Sequence, residues 1–178
     1  MKEHSAGDYE EIRQLAYRYA EAVDSRDLAA LVALFVDDVR VGGQARGREA
    51  LAAWFDPVLR TFGVSIHFVG NHRITFDGDE ASGVVYCRAE HEVRDRWIVM
   101  MIQYWDSYAR RDGEWLFVRR KEKVWYGADV VERPTGPHKN QWPGREPVVA
   151  DLPDAWESWG KFWAAGTHQL PPTARPGG

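Results

Sequence analysis

From Tyr9 to Val23 the apolar positions Ile12, Leu15, Ala16, Tyr19, Ala22 and Val23 recur at intervals of three and four, the spacing of an amphipathic helix. A second helix follows at once, with Asp27 placed as N-cap to the run LAALVALF. Past DDV, Val39 and Val41 suggest a short strand leading into the turn GGQARG. A third helix is expected from Glu49 to Phe62, its apolar stripe formed by Trp54, Phe55, Val58 and Leu59. Pro57 predicts an interruption there, because it removes an N–H and crowds the preceding turn. After Gly63 the period drops to two. Residues 64–76, 82–94, 97–109 and 114–126 are strand candidates rich in Val, Ile, Tyr, Phe and Trp. DGDEAS at 77–82 and RRDG at 110–113 supply turn chemistry, so successive strands are expected to pair as antiparallel hairpins. Helices first and a meander afterwards predict an α+β fold in which helices cover one face of a curved sheet.

From Gly127 to Pro153 the chain turns to Pro and Gly with few apolar residues, which reads as an irregular crossing segment. Helical spacing resumes in DAWESWGKFW, where Trp156, Trp159 and Trp163 fall at three and seven. This helix either caps the core or forms an aromatic lid or subunit contact. The last residues, THQLPPTARPGG, are expected to be disordered.

Length and composition narrow the function. A chain of 178 residues, 44% hydrophobic, forms one domain that hides roughly 70% of its unfolded surface, enough for a core or a pocket. The net charge of -4 comes from intermixed acids and bases, and the run RRKEK at 119–123 is too short to make a nucleic-acid surface. No apolar segment is long enough to span a membrane and the N-terminus lacks a signal-peptide core, so a soluble cytoplasmic protein is expected. The single Cys87 excludes an intrachain disulfide, and no Cys cluster or close His pair suggests a metal. Nine Trp, seven Tyr and seven Phe add large flat side chains suited to a core or to a pocket for a flat apolar ligand.

Candidate chemistry follows from strand alternation. In SGVVYCRAEHEVR, Val85, Cys87, Ala89, His91 and Val93 share the apolar face, while Arg88, Glu90, Glu92 and Arg94 share the other. In SIHFVG, His67 shares a face with Ser65 and Val69, opposite Ile66 and Phe68. An unpartnered buried imidazole costs about 1 to 3 kcal/mol, so each ring requires a partner. A lone histidine on such a face is ordinarily bonded to a backbone carbonyl; two on neighbouring strands also suit acid-base chemistry near neutral pH. His72, beyond an expected bulge at Gly70-Asn71, and His138, in a loop, carry no such signal. Asp24 ends the first helix, where the dipole disfavours a carboxylate, yet by periodicity it lies away from the stripe through Leu15 and Tyr19 and reads as solvated. Tyr19 lies in that stripe and carries a hydroxyl inward.

The segments YRYAEAVDSRDLAALVALFVDDVRV, SIHFVG and YARRDGEWLF resemble a SnoaL-like domain of the nuclear transport factor 2 superfamily, in particular the scytalone dehydratase, bile-acid 7α-dehydratase and hexachlorocyclohexane dehydrochlorinase families. The resemblance implies a cone: three N-terminal helices on a strongly curved, mostly antiparallel sheet, with a C-terminal extension. It divides the chain into a flexible N-terminus (1–8), a catalytic domain (9–127), an extension with the Trp-rich helix (128–166) and a disordered tail (167–178). It implies that Asp24 and His67 form a catalytic dyad, that His91 is a second catalytic histidine and that Tyr19 is an active-site tyrosine. The carbonyl-binding tyrosines of scytalone dehydratase fall here on Val23 and Gly43, so the same substrate is not expected.

The implied activity is a cofactor-independent, metal-free dehydratase acting through an enolate on a hydroxylated cyclic or polyketide-like molecule. Tyr104, Trp54, Phe55, Trp105 and Tyr126 are expected to bind the substrate. Family members suggest a homo-oligomer, trimer or dimer. An isomerase, epimerase or cyclase using the same dyad, or a non-catalytic small-molecule binder, remains open on the sequence.

Overall fold

A computed structural model describes residues 4–130 and 156–166. Three helices, α1 (Ala6–Ser25), α2 (Leu28–Ala33) and α3 (Arg48–Leu59), precede a four-stranded antiparallel meander, β3 (Ser65–Asp77), β4 (Glu80–Val93), β5 (Arg96–Arg111) and β6 (Glu114–Val130). A small hairpin of β1 (Arg40–Val41) and β2 (Ala45–Arg46) separates α2 from α3, and α4 (Glu157–Ala164) follows the sheet. The expected crossing segment and tail lie mostly outside the described residues.

Helix α1 starts at Ala6, three residues before the Tyr9 expected from the spacing. Ser5 and Asp8 form a capping box, each side chain bonding the other's backbone N–H. Asp8 also accepts from Trp115 Nε1 at 3.0 Å and Arg110 at 2.8 Å, which fastens the helix start to the β5–β6 hairpin. Asp27 caps α2 by accepting from the Ala30 N–H. Helix α3 is not interrupted at Pro57. That residue lies near the helix end, and the helix continues to Leu59.

The core lies between the helices and the concave face of the sheet. Ile12, Leu15, Ala16 and Tyr19 of α1 meet Val85, Cys87 and Ala89 of β4, Ile102 and Tyr104 of β5 and Phe117 of β6. Burial of each large aliphatic side chain contributes about 1.5 to 3 kcal/mol. Backbone bonds from Val36 N to Phe117 O and from Phe117 N to Leu34 O tie the end of α2 to β6, the one parallel bridge among the described residues.

Three bulges decide which side chains face inward. In β3, Val69 pairs with Cys87 and His72 with Val85, so Gly70 and Asn71 together oppose Tyr86. Odd residues point inward before this bulge and even residues after it. Two bulges in β6 do the same, one between Phe117 and Arg119, the other between Val124 and Tyr126.

Helix α4 docks on the ends of α1 and α3. Phe162 is its buried residue, rather than the Trp stripe the spacing suggested. The Arg60 guanidinium bonds Phe162 O at 3.2 Å and lies 4.0 Å from the Phe162 ring centroid, while Ser158 Oγ donates to Ser25 O.

Candidate active site

At the C-terminal end of α1, strand β3 crosses over Asp24 and buries it. The solvated position that helical periodicity predicted is therefore overturned by tertiary contact. Asp24 is 8% exposed and accepts from the His67 backbone N–H at 2.8 Å, from Ser65 Oγ at 2.9 Å and from His67 Nδ1 at 2.7 Å. Three donors on one carboxylate offset the unfavourable end of the helix dipole. With Nδ1–H donating to Asp24, the lone pair of His67 falls on Nε2, which has no bonding partner among the described residues.

Strand register brings in His91. Ser65 pairs with His91 and His67 with Ala89, so the two histidines are diagonal neighbours on the concave face. Their ring centroids lie 5.4 Å apart, edge to face, and Phe62 stacks edge-on against His91 at 4.8 Å. Burial and then the nearby His67 lower the His91 pKa to about 4, so its imidazole is neutral at pH 7.

A second cluster lies further back along α1. Tyr19 is five residues before Asp24, about 7.5 Å along the axis at the usual helical rise. Tyr19, Trp54, Phe55, Tyr104, Arg120 and Glu122 line a cavity of about 260 Å³. Burial raises the Tyr19 hydroxyl to about 12 and Tyr104 well above its ordinary value, while Arg120 opposes both shifts, so both phenols are protonated donors. The Arg120 guanidinium sits 4.3 Å from the Tyr19 ring centroid and 4.2 Å from that of Tyr104. It also makes a two-pronged pair with Asp106 at 2.9 and 2.6 Å. Burial works against its charge, yet Asp106 more than offsets this and holds the arginine above its ordinary value.

Cys87 joins the two clusters. Burial pushes its thiol up to about 12, and Arg120, Asp24 and Glu122 all act on it electrostatically, so it is an inert stretch of shared wall. Asp24 and His67 also border a groove of about 340 Å³ with Tyr17, Glu21, Phe68 and Trp156. A depression of about 790 Å³ on the outside of α1 near Trp115 shares Glu21 and Trp156 with that groove, but neither Asp24 nor His67 lines it.

Two expected substrate-binding residues lie elsewhere. Trp105 follows Tyr104 directly in a strand, so both cannot face the cavity; Trp105 is on the convex face and 51% exposed. Tyr126 would face inward in unbroken alternation from Glu122, but the bulge at Trp125 turns it outward opposite Met101, 53% exposed. Trp54 remains at the cavity, half-exposed, with Phe55 buried beside it at 4.8 Å.

Arg120 was hidden in the charged run at 119–123. Alternation from Phe117 would send Arg119 inward, and the bulge at Val118 selects Arg120 instead. His72, which carried no signal, is turned inward by its own bulge and bonds Tyr108 at 3.1 Å, while Tyr108 donates to Asp106. Its Nδ1 is buried without a bonding partner among the described residues. Burial lowers its pKa to about 4; Asp106 opposes the shift, and Arg120 and Arg13 add to it.

The folded His72 and His91 resist protonation down to about 4, whereas the unfolded chain binds protons near 6.5. Stability is thus full above pH 6.5 and falls by a few kcal/mol in total as pH drops from 6.5 to 4. Asp8, held at about 2 chiefly by the Trp115 and Ser5 bonds, adds a further loss below its ordinary 3.8. Urea titrations across this range measure the slope, which His72→Gln and His91→Gln should each flatten; a slope unchanged in both variants contradicts their burial as neutral rings.

Residues 4–121 match the SnoaL-like domain family. The chain belongs to that family. An uncharacterized Mycobacterium tuberculosis protein is 32% identical over 120 residues, covering 63% of this chain and 82% of that protein. Among solved structures, a Novosphingobium aromaticivorans protein provisionally named a scytalone dehydratase superposes with a TM-score of 0.61 at 25% identity, covering 71% of this chain and 89% of the other. The LinA-type3 hexachlorocyclohexane dehydrochlorinase of Novosphingobium barchaimii LL02 gives 0.65 at 24% identity, covering 74% and 95%. The SnoaL-like chain therefore has the nuclear transport factor 2-like α+β fold: helices followed by a curved antiparallel sheet and a C-terminal extension. None of its described helices is long and apolar enough to cross a membrane.

Proposed function

We propose that this SnoaL-like protein is a cofactor-independent lyase that removes water from a hydroxylated cyclic or polyketide-like small molecule. The observation that carries this reading is the 2.7 Å contact between Asp24 and His67 Nδ1, which leaves Nε2 as a base on a concave, aromatic-walled face. The name of the Novosphingobium aromaticivorans relative, a dehydratase, supports elimination.

In this mechanism His67 Nε2 takes the proton α to a carbonyl, and Asp24 stabilises the resulting imidazolium. Negative charge moves to the carbonyl oxygen, where the Tyr19 and Tyr104 hydroxyls donate to the enolate; the nearby charge of Arg120 strengthens them as donors. The enolate then expels the β-hydroxyl, and the proton held by His67 leaves with it as water. His91, neutral at pH 7, orients the departing hydroxyl by a hydrogen bond and does not act as a cationic acid. Phe55 and Trp54 exclude water from the ring.

The test is product mass over a panel of cyclic β-hydroxy ketones. A product lighter than its substrate by one water supports elimination. A product of unchanged mass replaces it with isomerisation or cyclisation, since the same proton abstraction begins those reactions.

A further inference from the structure

Two positions beyond Asp24, a single residue concentrates three unfavourable features. Arg26 closes α1 in the left-handed region, at φ 61, where glycine is the usual occupant. The residue is 2% exposed, and its Nε is buried with no bonding partner among the described residues. A buried charge, an unbonded donor and a left-handed non-glycine residue are each unfavourable. Capping the helix end accounts for the bond to Val23 O, and the bond to Gly63 O ties the cap to the α3–β3 connection. Neither accounts for the remaining bond, from Arg26 to Ser65 Oγ at 2.7 Å.

That bond reaches the dyad. Ser65 Oγ accepts a hydrogen bond from Arg26 and so points its own hydrogen at Asp24 Oδ1, 2.9 Å away. Asp24 Oδ1 is also the oxygen that receives His67 Nδ1, while Oδ2 receives the His67 backbone N–H. A relay of Arg26, Ser65, Asp24 and His67 results, in which each donor fixes the orientation of the next group. The guanidinium is itself held between two rings, Phe62 at 5.0 Å and Trp159 of α4 at 4.9 Å.

We propose that Arg26 is a positioning residue that orients Asp24 against His67 through Ser65, and that Trp159 brings the C-terminal helix into this support. The inference rests on Asp24 and His67 being the working pair. Without Arg26 the Ser65 hydroxyl is free to rotate toward another acceptor, and the carboxylate loses one of its three donors. Removing Trp159 opens one side of the arginine's seat while leaving every bond of the relay chemically possible, so its effect should be smaller.

The test needs no substrate at first. The His67 Nδ1 proton, hydrogen-bonded to a carboxylate, gives a downfield resonance assignable by its loss in His67→Ala. In Ser65→Ala and Arg26→Gln this resonance should move upfield or broaden through exchange, and Arg26→Lys should recover part of it. With a substrate in hand, kcat should fall about tenfold to a hundredfold in Ser65→Ala, with KM little changed, as expected when a base is misplaced. Ser65→Ala removes one hydroxyl and keeps the cap, so the test survives if Arg26→Gln fails to fold. An unmoved resonance in a folded Ser65→Ala protein overturns the positioning role and leaves Arg26 as a helix cap. Full activity in His67→Ala overturns the elimination mechanism instead, whatever the resonance does.

Discussion

Replacing His67 by alanine is expected to lower kcat/KM by about 10² to 10⁴ while the protein stays folded, because the change removes the base and leaves the backbone N–H that holds Asp24 in place. Asp24→Asn should cost a similar factor for a different reason. An asparagine that turns its NH2 toward His67 Nδ1 forces the other tautomer, placing the hydrogen on Nε2 and abolishing the base without changing the shape of the site. Groups that act as one unit lose their effect together, so the double variant should be little worse than His67→Ala. Steady-state kinetics on any substrate found by the mass screen, with circular dichroism to verify folding, measures all three. Turnover that survives both single changes ends the dyad mechanism.

The second large effect is on stability. Arg120→Ala should destabilise the protein by about 3 to 5 kcal/mol, because it strands the Asp106 carboxylate, whose side chain is 0% exposed, without its countercharge. Domains of this size have about 5 to 15 kcal/mol in total, so the variant should unfold at much lower urea. Tyr108 still donates to Asp106, but one neutral hydroxyl cannot replace a two-pronged arginine. Arg120→Met combined with Asp106→Leu should recover much of the loss, since well-packed apolar residues often replace a buried pair with little penalty. A double variant as unstable as Arg120→Ala would show that the pair contributes through packing that leucine and methionine do not reproduce.

The elements themselves were legible in the chain. Period-three and period-four spacing in α1, the Asp27 cap, the turn residues between strands and the alternation of SGVVYCRAEHEVR are local signals, and local chemistry sets them. The inward direction of His67 and His91 was legible for the same reason, and so was the bulge at Gly70-Asn71.

Register was not. One extra residue at Val118 and another at Trp125 exchange the faces of β6, which brings Arg120 into the cavity and turns Tyr126 out; no local pattern marks either position. Asp24 is the clearest case. On its own helix it lies off the apolar stripe, and only the passage of β3 over the end of α1 buries it and presents Ser65 and His67 as donors. Arg26 carries no local signal between the two helices, and only Phe62 and Trp159, distant in the chain, close on its guanidinium. Near-neighbour patterns in the chain fix the helices, the strands and the inward faces of His67 and His91, because those depend on local spacing. Packing decides which carboxylate, which arginine and which serine meet there, because hydrogen bonds spanning 39 to 43 residues depend on how the strands and helices come together.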